Sequence, residues 1–375
     1  MQNIFISCGE VSGDIYAELF IKEFLKIRPE FENNIFGMCG PKGEFAGCKS
    51  LWSYENLKLM GIFEVIPALP RIFKLRNEIT SEILKRNPEA VILIDSPDFH
   101  LLLAKYLRKS GYKKKIISLI PPTVWAWRTG RIKNLKRDFD FSLPLFSFEH
   151  EFLTEHGVNS YWKAHPLVND FKNFATPEKF YVRFANKKVI ALMPGSRKNE
   201  IKFHLDILLK TAEILKKKNY LPVFSVSGGL SRELAEELKN KIINSGFEIW
   251  EGEGRDLMSG SRAVVGVSGT VAVEAMLLKK FMVVIYNMKK LTYFILKKLV
   301  HVEKISIPNY LTHENVYPEL ICDLATPENI IHELDLYLGN QNSKSKIDSL
   351  LENAKNLMGN DNAAKFWAEC VSEKI

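Results

Sequence analysis

The chain opens with the sequence IFISCGEVSGD at residues 4–14. Its first five residues form a short, uncharged, mostly apolar run that stops at Gly9, and apolar residues at helical spacing follow from Leu19 to Leu25. An uninterrupted run of this kind predicts a strand covered on both faces, as in a parallel sheet. The stretch therefore predicts a strand, a glycine turn and a helix, which is the opening unit of an α/β fold.

The same succession of apolar run, turn and helix returns along the chain. Further strands are predicted at residues 90–94, 116–120, 189–193, 223–226, 247–250, 263–267 and 281–286. Strands that alternate with helices imply right-handed crossovers and a doubly wound sheet. Because the pattern restarts after a polar segment at 169–186, which reads as a linker, we expect two facing Rossmann-like doubly wound α/β domains with C-terminal helices.

The expected domain boundaries follow from this restart. Residues 1–170 would form the N-terminal domain and residues 187–340 the C-terminal domain, in agreement with a length of 375 residues at about 150 per domain. Residues 341–375 predict helices without a strand, and packing back on the N-terminal domain is one arrangement open to them.

Composition excludes several classes of protein. Hydrophobic residues make up 46% and charged residues 26%, which is ordinary globular usage and excludes disordered or collagen-like chains. Five cysteines without a CxxC pair argue against a disulfide scaffold and favour a reducing compartment. The sequence shows neither a signal-peptide pattern nor an apolar run of membrane-spanning length, so it predicts a cytoplasmic protein.

The net charge of +8 is concentrated in one block. Residues 105–137 contain eleven Lys or Arg and no Asp or Glu, and they also hold Trp125 and Trp127. A solvated surface is the plain interpretation of such a block. The tryptophans favour a surface that binds an anion, which leaves nucleic acid, an anionic membrane face and a phosphorylated substrate open.

Two turns of the N-terminal half carry candidate residues. After the first strand, Gly9 allows a tight turn, Gly13 allows close backbone approach, and Ser12 or Asp14 can cap the helix. A plain capped turn and a ligand loop are equally compatible with this pattern, which is not the GxGxxG fingerprint.

The second of these turns is Asp95-Ser96-Pro97-Asp98, at the end of a predicted buried strand. Asp98 can act as a helix N-cap. A carboxylate at the mouth of an α/β cleft is also how a general base is placed, and both readings stay open.

The turn at residues 194–197, Pro-Gly-Ser-Arg, is the more specific signal in the C-terminal half. A glycine turn that opens a helix presents free N–H groups and a positive dipole end to a phosphate. Ser196 adds a hydroxyl donor and Arg197 a guanidinium fork. Phosphate binding is therefore favoured over a bare turn.

A second turn, Ser268-Gly269-Thr270, follows another predicted buried strand. Its backbone N–H and hydroxyl groups would offer further donors to a diphosphate that the turn at 194–197 also binds. Glu274 lies one turn into the next helix, where it would meet ribose hydroxyls or simply face solvent.

Other patterns carry less. His100 and His165 are expected to be structural, and the sequence contains no spacing typical of a metal site. The segments 69–73 and 292–300 mix aliphatic and aromatic residues with Arg and Lys, as core-facing helices and interfacial membrane contacts both do.

Taken together, these motifs resemble the lipid-A-disaccharide synthase family. The resemblance runs from about residue 4 to residue 322, and the segments Met-Gly-Ile-Phe-Glu-Val at 60–65 and Trp-Ala-Trp-Arg at 125–128 are specific to it. The remaining motifs occur in the order of that family, at residues 9–14, 94–99, 165–167, 194–197, 268–270 and 308–309.

The resemblance implies a glycosyltransferase B fold with the active site between two Rossmann-like domains. The implied reaction condenses UDP-2,3-diacylglucosamine with 2,3-diacylglucosamine 1-phosphate, releasing UDP and forming the β(1→6) disaccharide of lipid A. It also implies peripheral association with the cytoplasmic face of the inner membrane and no nucleic-acid partner. The donor would be a UDP-sugar with no further cofactor and no metal, because N–H groups and Arg197 can neutralise the leaving UDP.

Site residues are likewise implied by the resemblance. Asp98 matches the family's general base, and Glu10 lines the acceptor side with it. Substrate-binding roles fall on Ser12, Gly13, Trp125, Arg128, Ser196, Arg197, Ser268, Gly269, Thr270, Glu274, Asn309 and Glu319.

The chain departs from the family pattern at Val11, Ala164 and Cys322, and the last replaces a usual Gln. Another UDP-sugar transferase or an epimerase of the same fold is the alternative function. A nucleic-acid-binding protein is a further alternative, although it would leave the glycine turns of both halves unexplained. The oligomeric state is left open.

Overall fold

The computed structural model describes residues 2–57, 62–288 and 304–375, with residues 62–68 described by their backbone alone. The chain divides into two compact units. Unit 1 comprises Met1–Pro166 together with Asn360–Ile375, and unit 2 comprises Leu167–Gly359. The predicted segment 292–300 lies outside the described residues, as do residues 58–61, which include Met60 and Gly61 of the Met-Gly-Ile-Phe-Glu-Val motif.

Each unit is built around one parallel sheet of six strands. The strands are β1 (Ile4–Cys8), β2 (Ile35–Met38), β3 (Cys48–Ser50), β4 (Ala90–Ile94), β5 (Lys115–Leu119), β6 (Phe141–Leu143), β7 (Val189–Met193), β8 (Leu221–Ser225), β9 (Glu248–Trp250), β10 (Ala263–Val267), β11 (Met282–Tyr286) and β12 (Glu319–Ile321).

Helices connect these strands. They are α1 (Val11–Ile27), α2 (Pro41–Phe45), α3 (Ile62–Arg86), α4 (Pro97–Lys109), α5 (Ile132–Asp138), α6 (Ser147–Glu155), α7 (Leu167–Phe171), α8 (Glu178–Phe184), α9 (Lys198–Lys217), α10 (Arg232–Asn244), α11 (Gly254–Gly260), α12 (Thr270–Leu277), α13 (Ile307–Thr312), α14 (Pro327–Gly339), α15 (Gln341–Asn356) and α16 (Ala363–Ser372). Short 3₁₀ helices occupy Pro29–Phe31, Tyr54–Leu57, Thr129–Arg131 and Cys322–Leu324.

The two sheets share one topology. The strand order is β3-β2-β1-β4-β5-β6 in unit 1 and β12-β11-β10-β7-β8-β9 in unit 2. Each is the doubly wound Rossmann order, with the order reversing between the first and fourth strands of the unit. The predicted fold class, α/β with Rossmann-like doubly wound sheets, is confirmed.

The core of unit 1 explains why its strands are apolar without alternation. Ile4 and Ile6 point to one face of the sheet and pack with α1 and α16, whereas Phe5 points to the other face and packs with α3 and α4. Successive side chains of a strand point to opposite faces, and helices cover both faces here. Each large side chain buried in this way contributes roughly 1.5–3 kcal/mol.

The last helix is held in unit 1 by an aromatic contact. Trp367 on α16 is 1% exposed and meets Tyr16 on α1 edge to face, with ring centroids 6.1 Å apart. The preceding helix, α15, belongs to unit 2.

The interpretation of residues 169–186 as a polar linker is wrong. This segment forms most of α7 and the whole of α8, and its Phe180 and Phe184 are buried against Trp250 of unit 2. The two aromatic side chains stabilise α8 on the unit, since burying them removes apolar surface from water. Polar composition around them concealed this packing.

Candidate active site

The candidate turns of each unit leave neighbouring strands at the point where the strand order reverses. In unit 1, residues 9–10 follow β1 and residues 95–96 follow β4, and these strands pair along their whole length. In unit 2, residues 194–197 follow β7 and residues 268–269 follow β10, which also pair. Crevices beyond the carboxyl ends of strands at such a switch point are where α/β sheets bind ligands.

The two turns of unit 1 are packed directly on one another. A Cβ atom added to Gly9 would lie 2.1 Å from Ser96 Oγ, so only glycine permits this approach. Gly13 sits against the strands, where an added Cβ would be 3.0 Å from Cys8 Cβ and 3.6 Å from the Ile94 carbonyl oxygen. Gly13 is buried and thus serves close helix–sheet packing, while Glu10 and Ser12 are exposed at the start of α1.

Asp14 does not cap α1, and neither does Ser12. The N-cap of α1 is Glu10, with no side-chain cap. The buried Asp14 carboxylate instead accepts hydrogen bonds from three backbone N–H groups at the start of α2, those of Gly40 (2.8 Å), Lys42 (3.0 Å) and Gly43 (3.0 Å). These free N–H groups attract the carboxylate as a helix N-terminus attracts any anion.

The turn after β4 is conformationally strained. Asp95 and Ser96 both have positive φ, +54° and +46°, a region that non-glycine residues avoid. His100 holds this turn from below: its Nδ1–H donates to the Asp95 carbonyl oxygen (2.7 Å), and its Nε2 accepts from Ser7 Oγ (2.8 Å). Burial lowers the pKa of His100 to about 4, so the ring stays neutral and keeps both bonds. Burial also raises the pKa of the Asp95 carboxyl.

Asp98 projects from the first turn of α4, and its side chain is 77% exposed. It is not the N-cap, because that position belongs to Ser96. Its Oδ1 accepts hydrogen bonds from Arg128 Nη1 at 3.0 Å and from Arg131 Nη2. The structure thus brings Asp98 and Arg128 together, and it adds Arg131, which the sequence analysis missed.

Trp125 is held by a buried acid. Its Nε1–H donates to Glu149 Oε1 at 2.9 Å, while Glu149 Oε2 accepts from the backbone N–H groups of Leu145 and Phe146. Burial raises the pKa of Glu149 to about 7. Glu149 was also missed from the sequence, where its only signal is an acidic residue in the first turn of α6.

The Pro-Gly-Ser-Arg turn opens α9 in unit 2. Gly195 has φ +113°, which favours glycine, and Arg197 is the N-cap with a side chain that is 79% exposed. Glu200, three residues into the helix, reaches back so that its Oε2 accepts from the Ser196 backbone N–H at 2.8 Å. Its Oε1 lies 3.4 Å from Arg197 Nη1. The turn therefore holds a carboxylate where a phosphate was expected.

The neighbouring turn, Ser268-Gly269-Thr270, opens α12. Gly269 is its N-cap with φ +151°, and because glycine has no side chain, no cap from this position competes for the first N–H groups of the helix. Ser268 Oγ donates to the Ile305 carbonyl oxygen at 3.0 Å. Burial raises the pKa of Glu274 to about 7, against the opposing effect of the Arg255 charge.

Asn309 and Glu319 are engaged within unit 2. Asn309 is 2% exposed; its amide group bonds to both the N–H and the carbonyl oxygen of Tyr317, and its Nδ2 also donates to Glu319 Oε1 at 2.8 Å. Glu319 accepts three further hydrogen bonds, from the N–H of Ile305 and from the N–H and hydroxyl of Ser306. Both side chains therefore hold the start of α13, and contact with a substrate through them stays a prediction.

Neither a metal-binding cluster nor a membrane-spanning helix occurs in the described part of the chain. Among the described residues, no group of three or more His, Cys, Asp or Glu is arranged to hold a metal ion. Of the helices within the described ranges, none is both long enough and apolar enough to span a membrane.

Comparison with known proteins agrees with this geometry. The family model for lipid-A-disaccharide synthetase matches residues 4–374. The lipid-A-disaccharide synthase of Acinetobacter baylyi is 35% identical over 356 residues, which cover 90% of this chain and 89% of that protein.

Solved structures share the fold at low identity. A UDP-N-acetylglucosamine 2-epimerase described as putative, from Listeria monocytogenes, has a TM-score of 0.63 at 13% identity and covers 99% of this chain and 94% of that one. A glycosyltransferase from Rickettsia africae has a TM-score of 0.58 at 13% identity and covers 99% and 98%. Fold, motifs and family match coincide over nearly the whole sequence, and the chain belongs to the lipid-A-disaccharide synthase family.

Proposed function

We propose that this chain condenses UDP-2,3-diacylglucosamine with 2,3-diacylglucosamine 1-phosphate to give the β(1→6)-linked lipid A disaccharide and UDP. Membership of the family establishes glycosyl transfer in lipid A biosynthesis. The observation that carries the chemical assignment is the Asp98 carboxylate, exposed on unit 1 beside the switch point of the sheet. A carboxylate in such a place is suited to take a proton from a sugar hydroxyl.

The donor is assigned to unit 2. The N–H groups at the start of α9 and α12 face the same switch point and present the positive ends of two helices to its diphosphate. Ser196, Thr270 and the exposed Arg197 supply further donors around these N–H groups. For the diphosphate to bind at Ser196, the hydrogen bond from the Ser196 N–H to Glu200 must first break.

The ribose end of the donor is assigned to Glu274. Its side chain is half-buried, and no described residue donates a hydrogen bond to its carboxyl. Partial burial disfavours its charged form, and the hydroxyl groups of a sugar would donate hydrogen bonds to it. Asn309 and Glu319 support this end of the site by fixing the backbone at Ile305 and Ser306.

The reaction is a single displacement at the anomeric carbon. Asp98 takes the proton of the acceptor 6-hydroxyl while that oxygen forms a bond to C1 of the donor sugar. The bond between C1 and the β-phosphate oxygen breaks on the opposite side, and UDP leaves with its electron pair. One displacement converts the α-linked donor into a β-linked product, through an oxocarbenium-like transition state of the kind found in inverting glycosidases.

The departing UDP gains negative charge, which preorganised donors stabilise most effectively. Arg197 and the N–H groups of α9 and α12 fill that role. Glu10 and Ser12, exposed at the head of α1, line the acceptor side next to Asp98.

Acyl chains and the membrane are assigned to α3. Leu69 and Phe73 are 37% and 42% exposed on this helix, and the cationic residues Arg71 and Lys74 lie in the same stretch of sequence. Apolar side chains flanked by cations are typical of a helix that lies at a membrane surface. We therefore propose peripheral association with an anionic bilayer.

The experiment that tests the function is UDP release, measured with each donor in the presence and absence of acceptor and with excess EDTA. The proposed enzyme releases UDP only when both acylated substrates are present, and it ignores EDTA. Turnover of unacylated UDP-N-acetylglucosamine at an equal or higher rate would instead favour another UDP-sugar transferase or an epimerase.

A further inference from the structure

Arg131 shares the Asp98 carboxylate with Arg128. Both guanidinium groups bond to the same oxygen, Oδ1, Arg128 through Nη1 and Arg131 through Nη2. Two cations therefore face a single anion, and the three side chains together carry a net positive charge. The surrounding block of residues 105–137 contains no Asp or Glu that would neutralise it.

Both guanidinium groups are held against one aromatic ring. The guanidinium carbon of Arg128 lies 4.3 Å from the centroid of Trp127, and that of Arg131 lies 5.8 Å from it. Trp127 is itself fixed by a hydrogen bond from its Nε1–H to Thr123 Oγ1 at 3.3 Å. Stacked guanidinium groups lose little freedom when they bind, and their planar forks match the oxygens of a phosphate.

The two arginine side chains differ in their exposure to solvent. The Arg128 side chain is 50% exposed, whereas that of Arg131 is only 14% exposed. Arg131 is therefore largely buried and held in place, whereas Arg128 is accessible to a ligand from solvent. A phosphate monoester carries close to two negative charges near neutral pH, against one on Asp98, so it competes well for both groups.

We propose that Arg128 and Arg131 bind the 1-phosphate of the acceptor, and that Asp98 occupies these two groups only while the acceptor is absent. The proposal rests on the function proposed above and adds the residues that recognise the acceptor. In a hexose 1-phosphate, the phosphate at C1 and the hydroxymethyl group at C5 flank the ring oxygen. A phosphate seated on the arginines thus brings the 6-hydroxyl beside the carboxylate that it has displaced.

The test compares two acceptors that differ only in the phosphate, 2,3-diacylglucosamine 1-phosphate and 2,3-diacylglucosamine. For the wild type, removal of the phosphate lowers kcat/KM by roughly ten- to a hundred-fold, as expected for lost charged hydrogen bonds. In Arg131→Met this preference shrinks to within a few-fold, because the variant loses rate only with the phosphorylated acceptor. Arg131→Lys, which keeps the charge without the fork, retains part of the preference.

Lys133→Met is the matched control. Lys133 is an exposed cation of the same block, two residues along the chain on α5. Its removal lowers the charge of the surface equally but leaves the preference for the phosphorylated acceptor intact. Equal loss of preference in both variants would mean that the block acts only through its overall charge, and it would overturn the proposal.

Further outcomes distinguish an error in the assignment of Arg131 from an error in the proposed reaction. A wild type that uses both acceptors equally well, or an Arg131→Met enzyme that keeps the full preference, would overturn the inference and leave the function standing. Loss of UDP binding by Arg131→Met would assign the arginine to the donor and overturn the inference. Failure of the wild type with either acceptor would contradict the proposed function and the inference with it.

Competition by Asp98 gives a second measurement. We expect Asp98→Asn to bind 2,3-diacylglucosamine 1-phosphate several-fold more tightly than the wild type, measured by calorimetry in detergent without donor. The dephosphorylated acceptor should bind both proteins alike. Unchanged or weaker binding of the phosphorylated acceptor by Asp98→Asn would contradict the exchange of carboxylate for phosphate.

Discussion

Glu200 Oε2 accepts a hydrogen bond from the backbone N–H of Ser196 at 2.8 Å, across the turn that opens α9. The same carboxylate lies 3.4 Å from the Arg197 guanidinium through its other oxygen. A side-chain anion thus sits on the two groups assigned to the diphosphate of the donor. The turn already binds an anionic group, and the Glu200 carboxylate would compete with the diphosphate for the same donors.

This relationship predicts the effect of Glu200→Gln. The substitution keeps the size of the side chain but removes the negative charge, so UDP should bind roughly three- to ten-fold more tightly. Calorimetric titration with UDP measures the change. Glu213→Gln, on an exposed position of the same helix, serves as the control and should leave the affinity as it is. Weaker UDP binding by Glu200→Gln would show that the carboxylate supports the turn instead of competing in it.

Arg197→Met should weaken UDP binding. A charged hydrogen bond to phosphate contributes about 1.5–3 kcal/mol, which corresponds to a ten- to hundred-fold loss in affinity. Arg232→Met removes an exposed arginine from the head of α10 and should have little effect. Unchanged affinity in Arg197→Met would remove this residue from the donor site.

Glu149 predicts a pH dependence of stability. Its pKa is raised from an ordinary value of 4.5 to about 7, so between these values the folded protein holds a proton that the unfolded chain releases. The stability of the wild type therefore falls as pH rises through this window and levels off above it. Glu149→Gln does not titrate, and the free energy of unfolding of the wild type relative to this variant should drop by roughly 2 to 3 kcal/mol from pH 5 to pH 8.

Urea unfolding at several pH values tests this expectation. Glu151→Gln removes an exposed acid from the same helix and should track the wild type at every pH. A difference between wild type and Glu149→Gln that is constant from pH 5 to pH 8 would mean that Glu149 does not change its protonation in the window.

Membrane association should have an electrostatic and an apolar part. Co-sedimentation with vesicles containing phosphatidylglycerol should fall as salt rises, because ions screen the basic surface. Phe73→Ser on α3 should lower binding at every salt concentration. Phe45→Ser, which removes an 82% exposed ring from α2, is the matched control and should bind like the wild type. Vesicle binding that changes neither with salt concentration nor with Phe73→Ser would contradict the assignment of α3 and the basic surface to the membrane.

Long apolar strands could be predicted from the sequence, whereas three of the four edge strands, β3, β6 and β12, could not. The predicted runs at 4–8, 90–94, 189–193 and 263–267 coincide with β1, β4, β7 and β10, the central pairs of the two sheets. These strands are buried on both faces, so their composition alone identifies them. In contrast, β3 and β12 are three-residue edge strands, Cys-Lys-Ser and Glu-Leu-Ile, whose partly exposed residues show no such run.

Turns of the candidate site were found from the sequence, but the partners of their side chains were not. Strand ends and glycines are local signals, and they located Asp98, Ser196 and Ser268. The carboxylate of Asp14 binds α2, 26 residues away along the chain, and Glu149 binds Trp125 over a separation of 24. Such pairs depend on how the chain returns to itself, and a single sequence does not contain that information in local form.

The proposed mechanism depends on proton transfer to Asp98. We expect Asp98→Asn to keep its fold and its affinity for UDP, because the side chain is exposed on unit 1 and the donor is assigned to unit 2. Its turnover should fall by about a hundred- to ten-thousand-fold, the usual loss when a general base is removed. Asp361→Asn, which changes another exposed aspartate in an ion pair of unit 1, should keep the wild-type rate.

The most direct measurement is therefore the rate of UDP release by wild type, Asp98→Asn and Asp361→Asn with both acylated substrates at saturation. A collapse of kcat in Asp98→Asn alone, with UDP affinity unchanged, is the result that the mechanism predicts. A rate for Asp98→Asn within a few-fold of the wild type would contradict it, and would leave Asp98 as an ion-pairing residue at the head of α4.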